Sequence, residues 1–375
     1  MTERSALETA AAIRAGETTA LLETEAAIAR IEARDGPLNA VVVRDFARAR
    51  HAAAELDQRI KEGFDAPLLG VPMTVKESYD LGGLKTTWGF TEHRDFTAKR
   101  DAVLVQRLKN AGAIVLGKTN VPVGLADVQS NNPIYGRTHN PHDHGRSAGG
   151  SSGGSGVALA SGMVPLEIGS DIGGSIRTPA AFDGVWGLKP TFGLLSTTGH
   201  HFPGTDGARV ALSVCGPMAR NADDLAAALD ILADHPVAPA APRQPNEWRI
   251  LILAVHPETS ISAEMRAALE KVGAAFAAAG ATVDRESDLL PDLSAQHRHY
   301  MHMLNIAMTR GAPDPARGTP TLAEWFDLAD HQARNIRQWH EVFGRYDAVI
   351  APIFGTTAFP HDDTPLTERR LEIDG

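Results

Sequence analysis

The chain has 375 residues, 22% of them charged and 43% hydrophobic, with a formal net charge of −10. This is ordinary composition for a soluble globular protein. Both signs are mixed along the chain without a basic block, which argues against a nucleic-acid partner. A single cysteine, Cys215, excludes an internal disulfide framework and fits a reducing, cytoplasmic setting. Its neighbours Val214 and Gly216 suggest a small buried residue rather than a nucleophile. The polar start Met1-Thr2-Glu3-Arg4-Ser5 is unlike a secretory signal. No apolar run approaches ~18 residues, so no membrane span is expected.

In chain order, residues 5–34 read as helices, with Gly16 ending the first and Ala20 to Ala33 forming the second. Leu38 to Val43 is a β-branched run and reads as a strand. Ala47 to Lys61 is helical. Val71 to Val75 reads as a buried strand that delivers Lys76 at its end. Ala102 to Gly112 is a helix, followed by a strand over Ile114 to Leu116. Val157 to Ser161 continues helically from a glycine-rich tract, and Val164 to Ile168 reads as the next strand. Asp223 to Leu232 is an amphipathic helix, and the Pro- and Ala-rich stretch 236–245 reads as a loop between lobes. Ile250 to Ala254, Ala263 to Gly280 and Thr282-Val283 form a strand-helix-strand unit. The remainder is helical up to a strand over Asp347 to Ala351. Alternating helices and short apolar strands predict an α/β fold, a sheet covered by helices.

Two tracts carry the chemistry. Gly149-Gly150-Ser151-Ser152-Gly153-Gly154-Ser155 is followed by Gly169-Ser170-Asp171-Ile172-Gly173-Gly174-Ser175-Ile176-Arg177. Both place hydroxyls on backbone that glycine allows to bend, so that several N–H groups can surround one point, as an oxyanion hole needs. Ser175, after Ile172-Gly173-Gly174, is the candidate nucleophile. A serine hydroxyl needs a base, and no glycine-X-Ser-X-glycine elbow with a histidine partner is present. Gly70-Val71-Pro72-Met73-Thr74-Val75-Lys76-Glu77 offers a lysine in an apolar setting. Lys76 can act only as a free amine, so its pKa must fall well below the usual value of about 10.4.

These pieces resemble the amidase signature family of Ser-Ser-Lys hydrolases. The resemblance continues through Gly117-Lys118-Thr119-Asn120, Asn132-Pro133, Asn140-Pro141, Gly187-Leu188-Lys189-Pro190-Thr191, Gly216-Pro217-Met218-Ala219-Arg220 and Tyr346-Asp347-Ala348-Val349-Ile350-Ala351-Pro352. It thus runs along nearly the whole chain, in family order. It implies one amidase domain over 1–375, a large mixed twisted sheet covered on both faces by helices. Within it, the catalytic core is expected at 65–230 and a smaller C-terminal lobe at about 246–375. Family members usually continue beyond Leu371-Glu372-Ile373-Asp374-Gly375, so the resemblance also implies a shortened C-terminal part. It assigns the acyl-enzyme to Ser175 and a proton relay to Ser151, with cis-peptide geometry, between Ser175 and Lys76. Choosing Ser151 over Ser152 rests on register alone, and Ser152 is expected to serve the start of the following helix. Ile172, Gly173, Gly174 and Ser175 are the expected oxyanion donors, and Leu125 the expected pocket residue. Val123 stands where family members commonly carry a glutamate.

The implied activity is hydrolysis of a small-molecule amide to acid plus ammonia or amine, without cofactor or metal, with a homodimer as the candidate assembly. Alternatives remain: a subunit that passes ammonia to a partner, or a shortened, inactive binding protein. Lys76 alone would ordinarily be a surface cation. Asp171 and Arg177 either fix the nucleophile's turn from behind or pair on the surface. His200-His201, His142-Asp143-His144 and His297/His299/His302 lack the spacing of a zinc site. Gly199-His200-His201-Phe202-Pro203 reads equally as a channel wall or as an ordinary loop.

Overall fold

Several helices begin where short polar side chains satisfy free backbone N–H groups. The structure, a computed structural model, describes residues 3–315, 317–366 and 368–374. In α1 (Ala6–Arg14), Ser5 Oγ accepts from Glu8 N–H and the Glu8 carboxylate accepts from Ser5 N–H. Thr19 caps α2 (Ala20–Arg34). Strand β1 (Val41–Arg44) leads to α3 (Phe46–Lys61), which buries Ala49, Ala53 and Leu56.

The main sheet continues with β2 (Pro72–Lys76), and after α4 (Val103–Asn110) comes β3 (Ile114–Thr119). A small hairpin of β4 (Asn131–Asn132) and β5 (Gly136–Arg137) precedes α5 (Gly153–Ala160) and β6 (Leu166–Asp171). Then follow α6 (Arg177–Asp183), β7 (Trp186–Gly187), β8 (Val214–Ala219) and α7 (Ala222–Leu232). The strand order is β1-β3-β2-β6-β8-β7. β2 runs parallel to both β3 and β6, and the remaining pairs are antiparallel. Every residue of β2, β3, β6 and β8 is buried, the pattern of strands covered on both faces. Helices α2, α3 and α5 lie against these strands. The register of β3 against β2 shifts between Met73 and Val75. Gly117 sits in that shift at φ 153°, where a Cβ would lie 2.1 Å from Val43 O. Only glycine fits there.

The described residues form two compact units. One runs up to Val237 and takes in Ala358–Leu366; the other is Ala238–Thr357 with the described residues beyond 367. The segment 358–366, read from sequence as part of the C-terminal lobe, belongs with the first unit. Phe359 O accepts from Ser147 N–H at 2.8 Å, Ala358 O accepts from Arg146 Nη1 at 2.6 Å, and Phe359 meets Phe182 edge-on. The second unit has a parallel sheet of order β10-β9-β11, made of β9 (Arg249–Ile252), β10 (Thr282–Asp284) and β11 (Ala348–Ile350). Its helices are α8 (Ala263–Ala278), α9 (Leu293–Thr309) and α10 (Leu322–Arg345). Ile250, Ile252, Ile261 and Leu269 centre its core. Among the described residues no helix is long and apolar enough to cross a membrane.

Two strands differ from their sequence reading. The strand expected at Leu38 to Val43 starts at Val41, because Asn39 turns into the left-handed region at φ 53° and donates to Tyr135 O and Arg137 O. The strand expected at Val164 to Ile168 runs from Leu166 to Asp171. Pro165 has no N–H for a ladder, and β8 pairs with the strand as far as Asp171↔Val214.

Gly154 of α5 faces the backbone of Asn120 and Ala40, and a Cβ there would lie 2.3 Å from Asn120 N and 2.9 Å from both Ala40 O and Asn120 O. Gly154→Ala is expected to lower unfolding free energy by about 1–3 kcal/mol. Gly36→Ala, with nothing within 4 Å of its Cβ, is expected to stay within about 0.5 kcal/mol. Urea denaturation of both variants measures the difference.

Candidate active site

The end of β2 places Lys76 inside the sheet, with no exposed surface. Its Nζ lies 2.6 Å from Ser151 Oγ, 3.0 Å from Ser170 Oγ and 3.4 Å from Ser170 O. All three partners are uncharged. Burial pulls the lysine down to about pKa 7, against the opposing fields of Asp171, Cys215 and Glu167. A large fraction of Lys76 is therefore a free amine near neutral pH.

Ser151 comes from the first tract, after a cis Gly150–Ser151 peptide. The chain passes so close to the 127–129 loop that a Cβ on Gly150 would lie 2.3 Å from Asp127 O. Ser152 Oγ faces β6, 3.4 Å from both Ser170 O and Ser170 N. It does not cap α5, as the sequence suggested. Ser130 Oγ accepts the Gly153 N–H at 3.1 Å, and Asn120 O accepts the Gly154 N–H at 3.2 Å, a bond that a capping side chain would otherwise make. Ser152 N–H donates to Ser175 O at 3.1 Å, tying the two tracts together.

Ser175 is 8% exposed, in the turn between β6 and α6. That turn is organised by Asp171, which is buried on the last position of β6. Its carboxylate accepts from Gly174 N–H at 2.9 Å, Ile176 N–H at 3.0 Å and Arg177 N–H at 3.3 Å. Arg177 adds a fork, Nε at 3.0 Å and Nη2 at 2.9 Å. Burial alone would raise the pKa of Asp171; the hydrogen bonds and charge of Arg177, with the Gly174 and Ile176 amides, outweigh it and hold the pKa below the usual carboxylate value. The pair therefore clamps the turn from inside. One expected oxyanion donor is consumed by this clamp, because the Gly174 N–H points at Asp171. Among the described residues, the N–H groups of Gly173 and Ser175 have no acceptor. They stand on either side of Gly174, which is left-handed at φ 106°. Among the described residues, no hydrogen bond joins Ser151 Oγ to Ser175 Oγ.

Leu125, with φ 59°, packs in a small apolar cluster with Trp88 and Val121, against which Phe90 and Phe202 are half-buried. His200 closes this wall, its ring 5.1 Å from Trp88 and 4.6 Å from Tyr79 and its Nε2 3.0 Å from Ser78 Oγ. Burial, then the nearby Lys76 charge, push His200 down to about pKa 3, so it stays neutral. His142 is engaged elsewhere, with its Nε2 2.9 Å from Asp183 O.

Sequence reasoning missed Ser170 and Ser130 as parts of the site. Ser170 lay in full view in the second tract. Its role depends on β6 lying beside β2, which no local pattern encodes.

The amidase family model matches residues 23–312. An indoleacetamide hydrolase of Bradyrhizobium diazoefficiens is 31% identical over 98% of this chain and 76% of its own length. A 1-carboxybiuret hydrolase subunit of Pseudomonas sp. (strain ADP) is 46% identical over 222 residues, 59% of this chain and 48% of its own length. The chain thus spans about half the length of several curated relatives that it matches. Among solved structures, a fatty acid amide hydrolase superposes with a TM-score of 0.88 at 25% identity, covering 96% of this chain and 69% of that one.

Asp171→Ala strands the buried Gly174 and Ile176 N–H groups. It is expected to lower stability by about 2–4 kcal/mol. Arg177→Ala, whose side chain is 41% exposed, is expected to cost less. Because the folded pKa of Asp171 is depressed, its contribution is fully present above the unfolded value of about 3.9 and is lost as pH falls through the folded value. Thermal melting of the two variants at pH 7 and at acid pH checks both the order and the sign.

Proposed function

The chain belongs to the amidase family, and from that premise we propose that it hydrolyses a small-molecule carboxylic amide through an acyl-enzyme on Ser175. One observation carries this reading: a fully buried lysine, with a pKa of about 7, held 2.6 Å from Ser151 Oγ.

Ser175 Oγ attacks the amide carbonyl carbon. Its proton passes to Ser151 Oγ as the Ser151 proton passes to Lys76 Nζ. The resting geometry supports the lysine half of this relay; the Ser175 half forms as the bound carbonyl seats the nucleophile, since catalytic hydrogen bonds commonly tighten on substrate binding. The developing oxyanion accepts from the Gly173 and Ser175 N–H groups, each worth roughly 3–4 kcal/mol to the transition state. As the C–N bond breaks, the proton returns from Lys76 through Ser151 to the leaving nitrogen. Ammonia or an amine departs, leaving an ester on Ser175. Water then adds to that ester, losing a proton along the same path, and the carboxylic acid leaves with Ser175 restored. The apolar wall of Leu125, Trp88 and Phe202 suits an apolar acyl or amine group.

Ser175→Ala is expected to cut released-amine turnover by about 10³-fold or more and to abolish labelling by a fluorophosphonate. Labelling that persists at position 175 is impossible in this variant, so residual labelling elsewhere with full turnover would overturn the assignment.

Lys76 works as the free amine, so the rate should rise with pH through about 7 and then level. Lys76→Ala should lose about 10²–10⁴-fold. Ser151→Ala should lose less than Ser175→Ala, because water can replace the relay in part. A pH profile flat from 5 to 9 would remove Lys76 from the mechanism.

A further inference from the structure

Glu167 is a fully buried carboxyl that the mechanism above leaves unused. It lies on β6, the strand beside the lysine. Met73 of β2 pairs with Leu166 of β6, so Thr74 and Glu167, the next residue of each strand, are neighbours. The two-residue period of a strand puts Lys76 on the same face of β2 as Thr74. Glu167 Oε2 accepts one N–H, from Ile168 at 3.0 Å. The hydroxyls of Thr74, Thr119 and Ser155 face the carboxyl. Even so, Glu167 Oε1 and Thr74 Oγ1 are both left without a hydrogen bond, while Thr119 and Ser155 bond each other at 2.9 Å. Native interiors retain few such orphaned polar atoms.

The other titratable groups around the lysine are already spoken for. Asp171 exerts the strongest of the opposing fields on Lys76, but its own charge is matched by Arg177. Burial pushes the Cys215 thiol on β8 up to about 11 and Tyr79 well above its ordinary value, while His200 falls to about 3. All three are uncharged near neutral pH. Glu167 remains, among the described residues, the buried carboxyl that acts on Lys76 without a cation of its own. Burial lifts it to about 7, into the range where the lysine titrates.

We propose that Glu167 is a buried counter-charge that raises the proton affinity of Lys76, a positioning residue that acts on the reaction through the lysine. A carboxylate there stabilises the ammonium and so lowers the fraction of free amine. The two groups titrate as one pair. The inference rests on Lys76 as the base, and its test is chosen to separate the two.

Glu167→Gln keeps the shape and the Ile168 N–H bond and removes the charge. In the full chain carrying ¹³C-labelled lysine, the Lys76 Cε resonance is assigned by its loss in Lys76→Arg and titrated with and without Glu167→Gln. The expected result is a midpoint lower by at least about half a pH unit, roughly a threefold change in proton affinity. The ascending limb of the rate profile should move down with it. An unmoved midpoint, or a loss of kcat with the midpoint unmoved, overturns the proposal and leaves Glu167 a structural residue. A moved midpoint with an unmoved rate limb supports the Glu167 proposal and removes Lys76 from the role of base. Should Glu167→Gln fail to fold, the reciprocal measurement decides. In Lys76→Met with ¹³C-labelled glutamate, the Glu167 carboxyl should titrate at a higher pH than in the wild type, and an unchanged midpoint overturns the proposal.

Discussion

The site depends on burying one lysine in the middle of a sheet, which weakens its hold on a proton. An ammonium ion taken out of water without a counter-ion is far costlier than an amine. The protein resolves this by giving Lys76 only uncharged partners, the Ser151 and Ser170 hydroxyls and a backbone carbonyl. That arrangement requires β2 to lie between β3 and β6, where every residue is buried. It also requires a helix start that can approach without side chains. The glycines at 149, 150, 153 and 154 meet that need, and their surroundings are tight enough that a methyl group at any of them would strike a neighbour.

A second constraint acts on the proposed nucleophile. Ser175 sits in a turn whose amides are pulled toward a buried carboxylate, so the turn's shape is held by charge-assisted hydrogen bonds. Preorganisation of this kind means that donors need not reorient as charge develops. The clamp also has a cost in donors, since Gly174 is committed to Asp171. The bond from Ser152 N–H to Ser175 O then carries the position of one tract to the other. The lysine, the proposed relay serine and the proposed nucleophile come from three separate stretches of chain, and backbone bonds lock those stretches together.

Local chemistry explains why much of this was readable. The helical run that Gly16 ends, the apolar run ending at Lys76 and the two glycine-serine tracts are short-range signals. Strand ends were less readable. Asn39 and Pro165 moved them by removing a ladder conformation or a donor. Strand β8 was invisible as a strand because its glycine and proline weaken any pattern. It is defined by the six-residue pairing with β6.

The sequence by itself determined the residue types at the site and their order along the chain. It also determined the family, because whole motifs recur at family positions. Tertiary structure alone decided which hydroxyls reach the lysine, which backbone amides remain available to substrate and which carboxyl shares the lysine's surroundings. Ser152 faces β6 instead of capping α5, and the first N–H groups of that helix are held by Ser130 Oγ and Asn120 O, both distant in sequence. Gly174 is withdrawn from the donor set because Asp171 comes to rest beneath it. Glu167 comes beside Thr74 only when β6 is laid against β2. The first and last of these depend on pairing between segments remote along the chain; the Gly174 bond spans only three residues, and what the fold adds there is the burial of Asp171.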